Sequence, residues 1–203
     1  MKRTSVFTAS AVATCIALAA VALPVAAQNT VSSNTEQIKS LPGNSVYKIS
    51  ASLTDQSGQS FHFSDKRGKP VLISMFYNSC EFVCPMLIDT MHLIENGLTP
   101  QERERLAMML ISFDPARDDV AALQAVAGKH ELDARQWTVA RTDPASVRKI
   151  AAALGIQYRQ LESGEFNHTT VMILLDADGR IVARSKKMGA VDTAFIAQVK
   201  KLL

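Results

Sequence analysis

Two cysteines four residues apart, Cys80 and Cys84, are the side chains in this sequence best placed to do chemistry. In a helical stretch, residues i and i+4 share one face and lie about 6 Å apart along the axis. That spacing falls inside the roughly 4.4 to 6.8 Å of Cα separation that a disulfide tolerates, so the pair can close a bond or act as a two-thiolate clamp. Helix N-terminal amides favour the thiolate, which is both the nucleophile and the metal ligand, while Glu81 between the two sulfurs opposes it. Two thiolates suit soft Cu(I), and an added imidazole makes a trigonal site that also holds Cu(II); structural zinc usually requires four ligands. The plain alternative is a structural disulfide, but closing so short a loop restrains little of the unfolded chain.

Four histidines can supply the imidazole. His62 alternates with Phe61 and Phe63 as in a strand. His92 lies eight residues beyond Cys84, about 12 Å further along a helix axis, too far to share an ion. His130 ends a charged helical stretch and is expected to be solvated. His168 directly precedes the apolar run Thr170 to Asp176, and only the order of elements decides where that run lies.

The pattern along the chain supplies that order. Apolar residues recur with period two from Val46 to Leu53, and Ser57-Gly58 turns the chain towards Phe61 and Phe63, which reads as an opening β-hairpin. Val71 to Tyr77 is apolar nearly throughout, as expected of a strand buried on both faces. The cysteines follow, then a helical pattern from Pro85 to Gly97, and a capping box in Thr99-Pro100-Gln101-Glu102. Leu106 to Phe113 and Trp137 to Arg141 read as strands, Arg117 to Lys129 and Pro144 to Leu154 as helices, the last stopped by Gly155. Asp178-Gly179 between Thr170 to Asp176 and Ile181 to Ser185 marks a second hairpin, and Thr193 to Leu203 closes the chain as a helix. Met75, Met86, Met91, Met108, Met109 and Met172 lie in apolar runs and are read as core, and Trp137 as structural.

Strands alternating with helices imply parallel pairing in the middle of the sheet, with antiparallel strands added by the hairpins. The expected fold class is α/β and thioredoxin-like: a central mixed sheet flanked by helices, with an N-terminal β-hairpin. Such a plan puts Cys80 and Cys84 at the carboxyl edge of a central strand and brings the loop of His168 against them. By elimination, His168 is the best candidate for a third ligand. Asp114 and Arg117, beside Pro115, read as caps of the helix that follows.

The rest of the chain bounds what such a site can serve. With 203 residues, 47% apolar and 20% charged, it has room for one folded domain. Lys2 and Arg3 precede 23 uncharged residues, Ser5 to Ala27, that end in Val25-Ala26-Ala27. This is the pattern of a secretory signal peptide over 1–27, with an uncleaved membrane anchor as the alternative reading. A polar linker over 28–43 and the folded domain over 44–203 complete the expected organisation. Export implies a periplasmic or similar compartment, with membrane contact only through the N-terminal segment. Without Lys2 and Arg3, 20 basic residues face 19 acidic ones, too small a surplus for a nucleic-acid partner.

Three segments then carry a resemblance. Asn78-Ser79-Cys80-Glu81-Phe82-Val83-Cys84-Pro85, Ser112-Phe113-Asp114-Pro115-Ala116-Arg117-Asp118 and Asn167-His168-Thr169-Thr170, followed by Asp176-Ala177-Asp178-Gly179-Arg180, resemble the SCO/SenC family from about Tyr47 to the C-terminus. The resemblance implies a thioredoxin-fold copper protein with Cys80, Cys84 and His168 as copper ligands and Asp114 and Arg117 bordering the site. It implies delivery of copper to, or reduction of the cysteines of, the dinuclear copper centre of a respiratory oxidase or a related copper-accepting protein. Glu81 stands where the family usually has Pro, and Thr169 where Ser is common. Two functions are thus expected: a metallochaperone, or a thiol-disulfide oxidoreductase that cycles Cys80 and Cys84 as a redox pair against partner thiols. A peroxidase of the peroxiredoxin type is a more distant reading, because Cys80 lacks that type's Thr and Pro setting.

Overall fold

The computed structural model describes residues 41–203; the signal-peptide reading, with most of the linker, lies outside them. Leu41, at the start of the described chain, is already buried against the core. Nine strands and five helices follow: β1 (Ser52–Asp55), β2 (Ser60–His62), β3 (Val71–Phe76), α1 (Val83–Asn96), α2 (Pro100–Arg105), β4 (Ala107–Ser112), α3 (Val120–Lys129), β5 (Trp137–Thr142), α4 (Pro144–Leu154), β6 (Tyr158–Gln160), β7 (Phe166–His168), β8 (Met172–Leu175), β9 (Ile181–Ser185) and α5 (Thr193–Leu202).

Seven strands form one sheet in the order β2-β1-β5-β4-β3-β8-β9. β3 pairs parallel with β4, and β4 with β5, as strand-helix-strand connections require. β8 runs antiparallel to β3, and the hairpins β1-β2 and β8-β9 carry the antiparallel margins. Every residue of β3 and β8 is buried, which explains why their sequences are apolar without alternation. The thioredoxin-like mixed sheet and the opening hairpin are thus as expected.

The local signals acted where a backbone group needed a partner. Thr99 and Glu102 form the reciprocal capping box of α2. Asp143 caps α4, and Gly155 ends it in the left-handed conformation at φ 66°. Gly179 turns the β8-β9 hairpin at φ +78°, and a Cβ there would come within 2.5 Å of the Tyr47 ring, so the position has room for hydrogen only.

Val46–Lys48 is a 3₁₀ turn, not the start of the first strand. The Ser45 hydroxyl accepts the Tyr47 N–H at 3.2 Å, and the Val46 N–H donates to the Gly179 carbonyl at 2.9 Å. These contacts take the amides that a ladder would have used, and the fully buried Tyr47 packs edge-on against Phe63 with ring centres 5.3 Å apart. The hairpin therefore begins only at Ser52. Residues 117–119 likewise lie outside α3, whose N-cap is Asp119.

One element gave no readable signal. β6 and β7 form a separate two-stranded sheet between α4 and β8, with Tyr158 opposite His168, Arg159 opposite Asn167 and Gln160 opposite Phe166. Strands of three residues are too short for a period to register.

Candidate metal centre

The buried strand β3 delivers the chain to Tyr77, and the turn that follows is fixed from both sides. The Tyr77 carbonyl accepts the Cys80 N–H at 3.3 Å. One carboxylate oxygen of Asp118 accepts the Asn78 N–H at 3.1 Å and the Ser112 hydroxyl at 2.5 Å, tying the turn to the end of β4. Burial raises the Asp118 carboxyl above its ordinary range, and these two donors oppose the shift.

Cys80 and Cys84 do not share a helical face. Cys80 lies in the loop, α1 begins at Val83, and Cys84 occupies its first turn. The Cys84 N–H points at the Cys80 sulfur, 3.2 Å away. A helix N-terminal amide therefore serves the first sulfur, as the thiolate argument expected, although by a different geometry. Both cysteines are free thiols, Cys80 partly buried and Cys84 buried. Burial, and then the neighbouring Cys80, push the Cys84 thiol well above the usual range. Cys80 is thus the less buried cysteine and Cys84 the sheltered one.

His168 ends β7 and is not in a loop. Its ring packs against Phe113 and Tyr77, at 5.0 and 5.7 Å between centres. Burial lowers its basicity, so the imidazole is neutral, the form that can donate a lone pair, over a wider pH range than an exposed histidine. One ligand atom from each of Cys80, Cys84 and His168 lies within 4.8 Å of the others. Among the described residues this is the one His, Cys, Asp or Glu group compact enough to hold a metal ion. A cavity of about 560 Å³ opens onto Cys80 and His168, flanked by Glu81, Phe82, Val83 and Glu165; Cys84 does not line it.

The other histidines are elsewhere. His62 lies at the end of the outermost strand. His92 is held between the Glu95 carboxylate and the His130 carbonyl, each at 3.0 Å, with its ring 4.8 Å from that of the buried Trp137. His130 is not solvated as expected. Its side chain is 11% exposed and faces Asp89 at 3.6 Å, because α3 ends against α1. Of the six methionines read as core, Met86 is 44% exposed on the first turns of α1; the other five are buried.

Asp114 and Arg117 do not cap α3. The Arg117 guanidinium pairs with the buried Asp114 carboxylate and donates to the Gly164 carbonyl at 2.7 Å. It also lies 5.8 Å from the centre of the Phe166 ring. Gly164 and Phe166 belong to the hairpin that carries His168, so this pair acts on the third candidate ligand through the backbone. Sequence reasoning missed Tyr77 and Glu165, which meet at the same hairpin, because nothing in their spacing of 88 residues links them.

A thioredoxin-like sheet that holds two thiols at a strand-helix junction and an imidazole beside them defines a class of small thiol and metal-binding proteins. Comparison narrows the class. The SCO1/SenC family pattern matches residues 41–203, and the chain belongs to that family. A Stutzerimonas stutzeri protein named for copper binding is 24% identical over 134 residues, which cover 64% of each chain. The copper-bound ScoI of Bradyrhizobium japonicum has 25% identity and a TM-score of 0.65 over 75% of this chain and 97% of its own. A SCO1/SenC family lipoprotein of Bacillus anthracis has 21% identity and a TM-score of 0.68 over 76% and 94%.

Proposed function

We propose that this chain binds copper through Cys80, Cys84 and His168 and passes it to the copper centre of a respiratory oxidase or another copper-accepting protein. The observation that carries the reading is the meeting of three donor atoms within 4.8 Å from separate parts of the chain. The donor set fits the ion: two sulfurs retain Cu(I), and the nitrogen of a neutral imidazole extends the site to Cu(II). Copper binding in two of the similar proteins, by their names, supports the choice of metal. The partly buried Cys80 and the cavity in front of it offer a route for ligand exchange with a partner. The N-terminal segment 1–27 directs the domain out of the cytosol, by cleavage or as an anchor. Among the described residues no helix is long and apolar enough to cross a membrane.

The difference between the two thiols favours a second reading, thiol-disulfide exchange. The less buried Cys80, served by the Cys84 amide, would attack a partner's disulfide, and Cys84 would then resolve the mixed disulfide. The protein's dithiol becomes a disulfide while the partner's disulfide becomes two thiols, a balanced transfer of two electrons and two protons.

Anaerobic titration of the reduced domain with Cu(I), followed by incubation with an apo oxidase copper domain, separates these readings. One tightly held copper, lost in the Cys80→Ser/Cys84→Ser variant and transferred to the acceptor, is expected. Tight binding that survives in the double variant would sink the copper assignment. Reduction of an oxidised acceptor without metal transfer would favour the redox role.

A further inference from the structure

The β6-β7 hairpin that carries His168 has only three residue pairs and no ladder to the main sheet. Two-stranded hairpins are marginal by themselves, so its position must come from contacts outside it. Arg117 supplies one at Gly164. The next residue supplies another: the Tyr77 hydroxyl donates to the Glu165 carboxylate at 2.8 Å. Tyr77 leaves β3 three residues before Cys80, and its hydroxyl also neighbours the Cys80 side chain. Its ring stands edge-on to both Phe166 and His168, with centres 5.2 and 5.7 Å away. One side chain thus touches the cysteine loop, the hairpin turn and the imidazole.

We propose that Tyr77 and Glu165 are positioning residues for His168, a hydroxyl-carboxylate clasp that holds the hairpin against the cysteine loop and sets how long the imidazole stays beside the two sulfurs. The inference rests on the copper reading for its consequence, but the contact that makes the clasp, Tyr77 to Glu165, involves no metal. A neutral donor to a carboxylate is a charge-assisted bond, and here it closes across a partly buried aromatic cluster. Tyr77→Phe removes the hydroxyl and keeps the ring. Glu165→Gln keeps an oxygen that accepts the bond, whereas Glu165→Ala does not.

The test has a metal-free arm and a copper arm. In the metal-free protein, amide hydrogen exchange at residues 158–168 should quicken roughly tenfold in Tyr77→Phe and in Glu165→Ala, the scale of one such bond. The double variant should match the single ones, since both remove the same contact. Glu165→Gln should fall between wild type and Glu165→Ala, since its amide oxygen still accepts the bond but without the charge. With Cu(II), the sulfur-to-copper absorption should decay faster in Tyr77→Phe, and the loss of Cu(II) should exceed any loss of Cu(I) by roughly tenfold, because the thiolates remain. Unchanged exchange in Tyr77→Phe, additive effects in the double variant, or equal losses of Cu(I) and Cu(II) would overturn the clasp. A wild-type protein that takes up no copper would instead overturn the copper reading, and the metal-free arm would still decide the clasp.

Discussion

The two halves of the candidate site rest on very different foundations. The cysteine loop emerges from β3, which is buried along its whole length and paired on both sides, to β4 and β8. His168 comes from a hairpin of three pairs that touches the rest of the molecule through side chains: Arg117 to Gly164, Tyr77 to Glu165, and the rings of Phe113, Tyr77 and Phe166. The cysteine loop is therefore anchored by the ladders of the main sheet, whereas losing the hairpin's few side-chain contacts would free the imidazole with those ladders intact. On the proposed reading of copper binding and transfer, that division would put the third ligand on the weakly held element. Local opening needs few contacts to break there, and global stability has little share in them.

If this contrast is right, substitutions in the two regions separate. Leu72→Ala, in β3 and fully buried, should lower global unfolding free energy by about 2–5 kcal/mol in urea titrations. Its cysteines and His168 should stay together in whatever fraction remains folded. Arg117→Ala should cost less, about 1–3 kcal/mol, because it leaves the buried Asp114 carboxylate without its partner. Its main effect should appear in hydrogen exchange confined to residues 158–168; equal acceleration across β3 and β4 would count against a locally anchored hairpin. His168→Ala should cost still less, about 0.5–1.5 kcal/mol, for its ring contacts with Phe113 and Tyr77. That variant should keep Cu(I) but lose or rapidly shed the Cu(II) absorption, with His92→Ala as an unaffected control. An unchanged Cu(II) spectrum would mean that the third ligand lies elsewhere.

The smallest effect concerns pH in a region remote from the site. Burial holds the His130 imidazole below its ordinary pKa of 6.5, with Asp89 opposing. The unfolded chain then takes up the proton first as pH falls, so stability declines below about 6.5 and levels off under the lowered folded value. His130→Asn should flatten that part of the stability-pH profile by a fraction of a kcal/mol, readable by thermal melts between pH 5 and 8, a scale set by a partial shift of one group. A profile identical to wild type would show that another group carries the dependence.

Much of the architecture was legible because it follows from local patterns. The apolar run of β3, the capping box of α2, Gly155 after α4 and Asp178-Gly179 in the last hairpin all satisfy nearby backbone groups, and neighbouring residues suffice to specify that. The strand at 46–51 was misread for the converse reason. Tyr47 finds its partners at Phe63 and Gly179, so a period of two there reflects a tertiary docking and not a ladder.

By itself the sequence determined the candidate donors, two soft thiols in a fixed spacing and an imidazole before an apolar strand, a set that suits copper better than structural zinc. It also determined the order of elements that brings a central strand end and a late segment to one edge of the sheet. Only the tertiary structure decided that Cys80 sits outside the helix that holds Cys84, that Asp114 and Arg117 grip a hairpin in place of capping a helix, and that Tyr77 reaches Glu165. These outcomes depend on distances between residues tens of positions apart, set by how the hairpin packs on the sheet edge. Periodicity and spacing record what a residue asks of its neighbours in the chain, and they are silent about the side chains that folding places beside it.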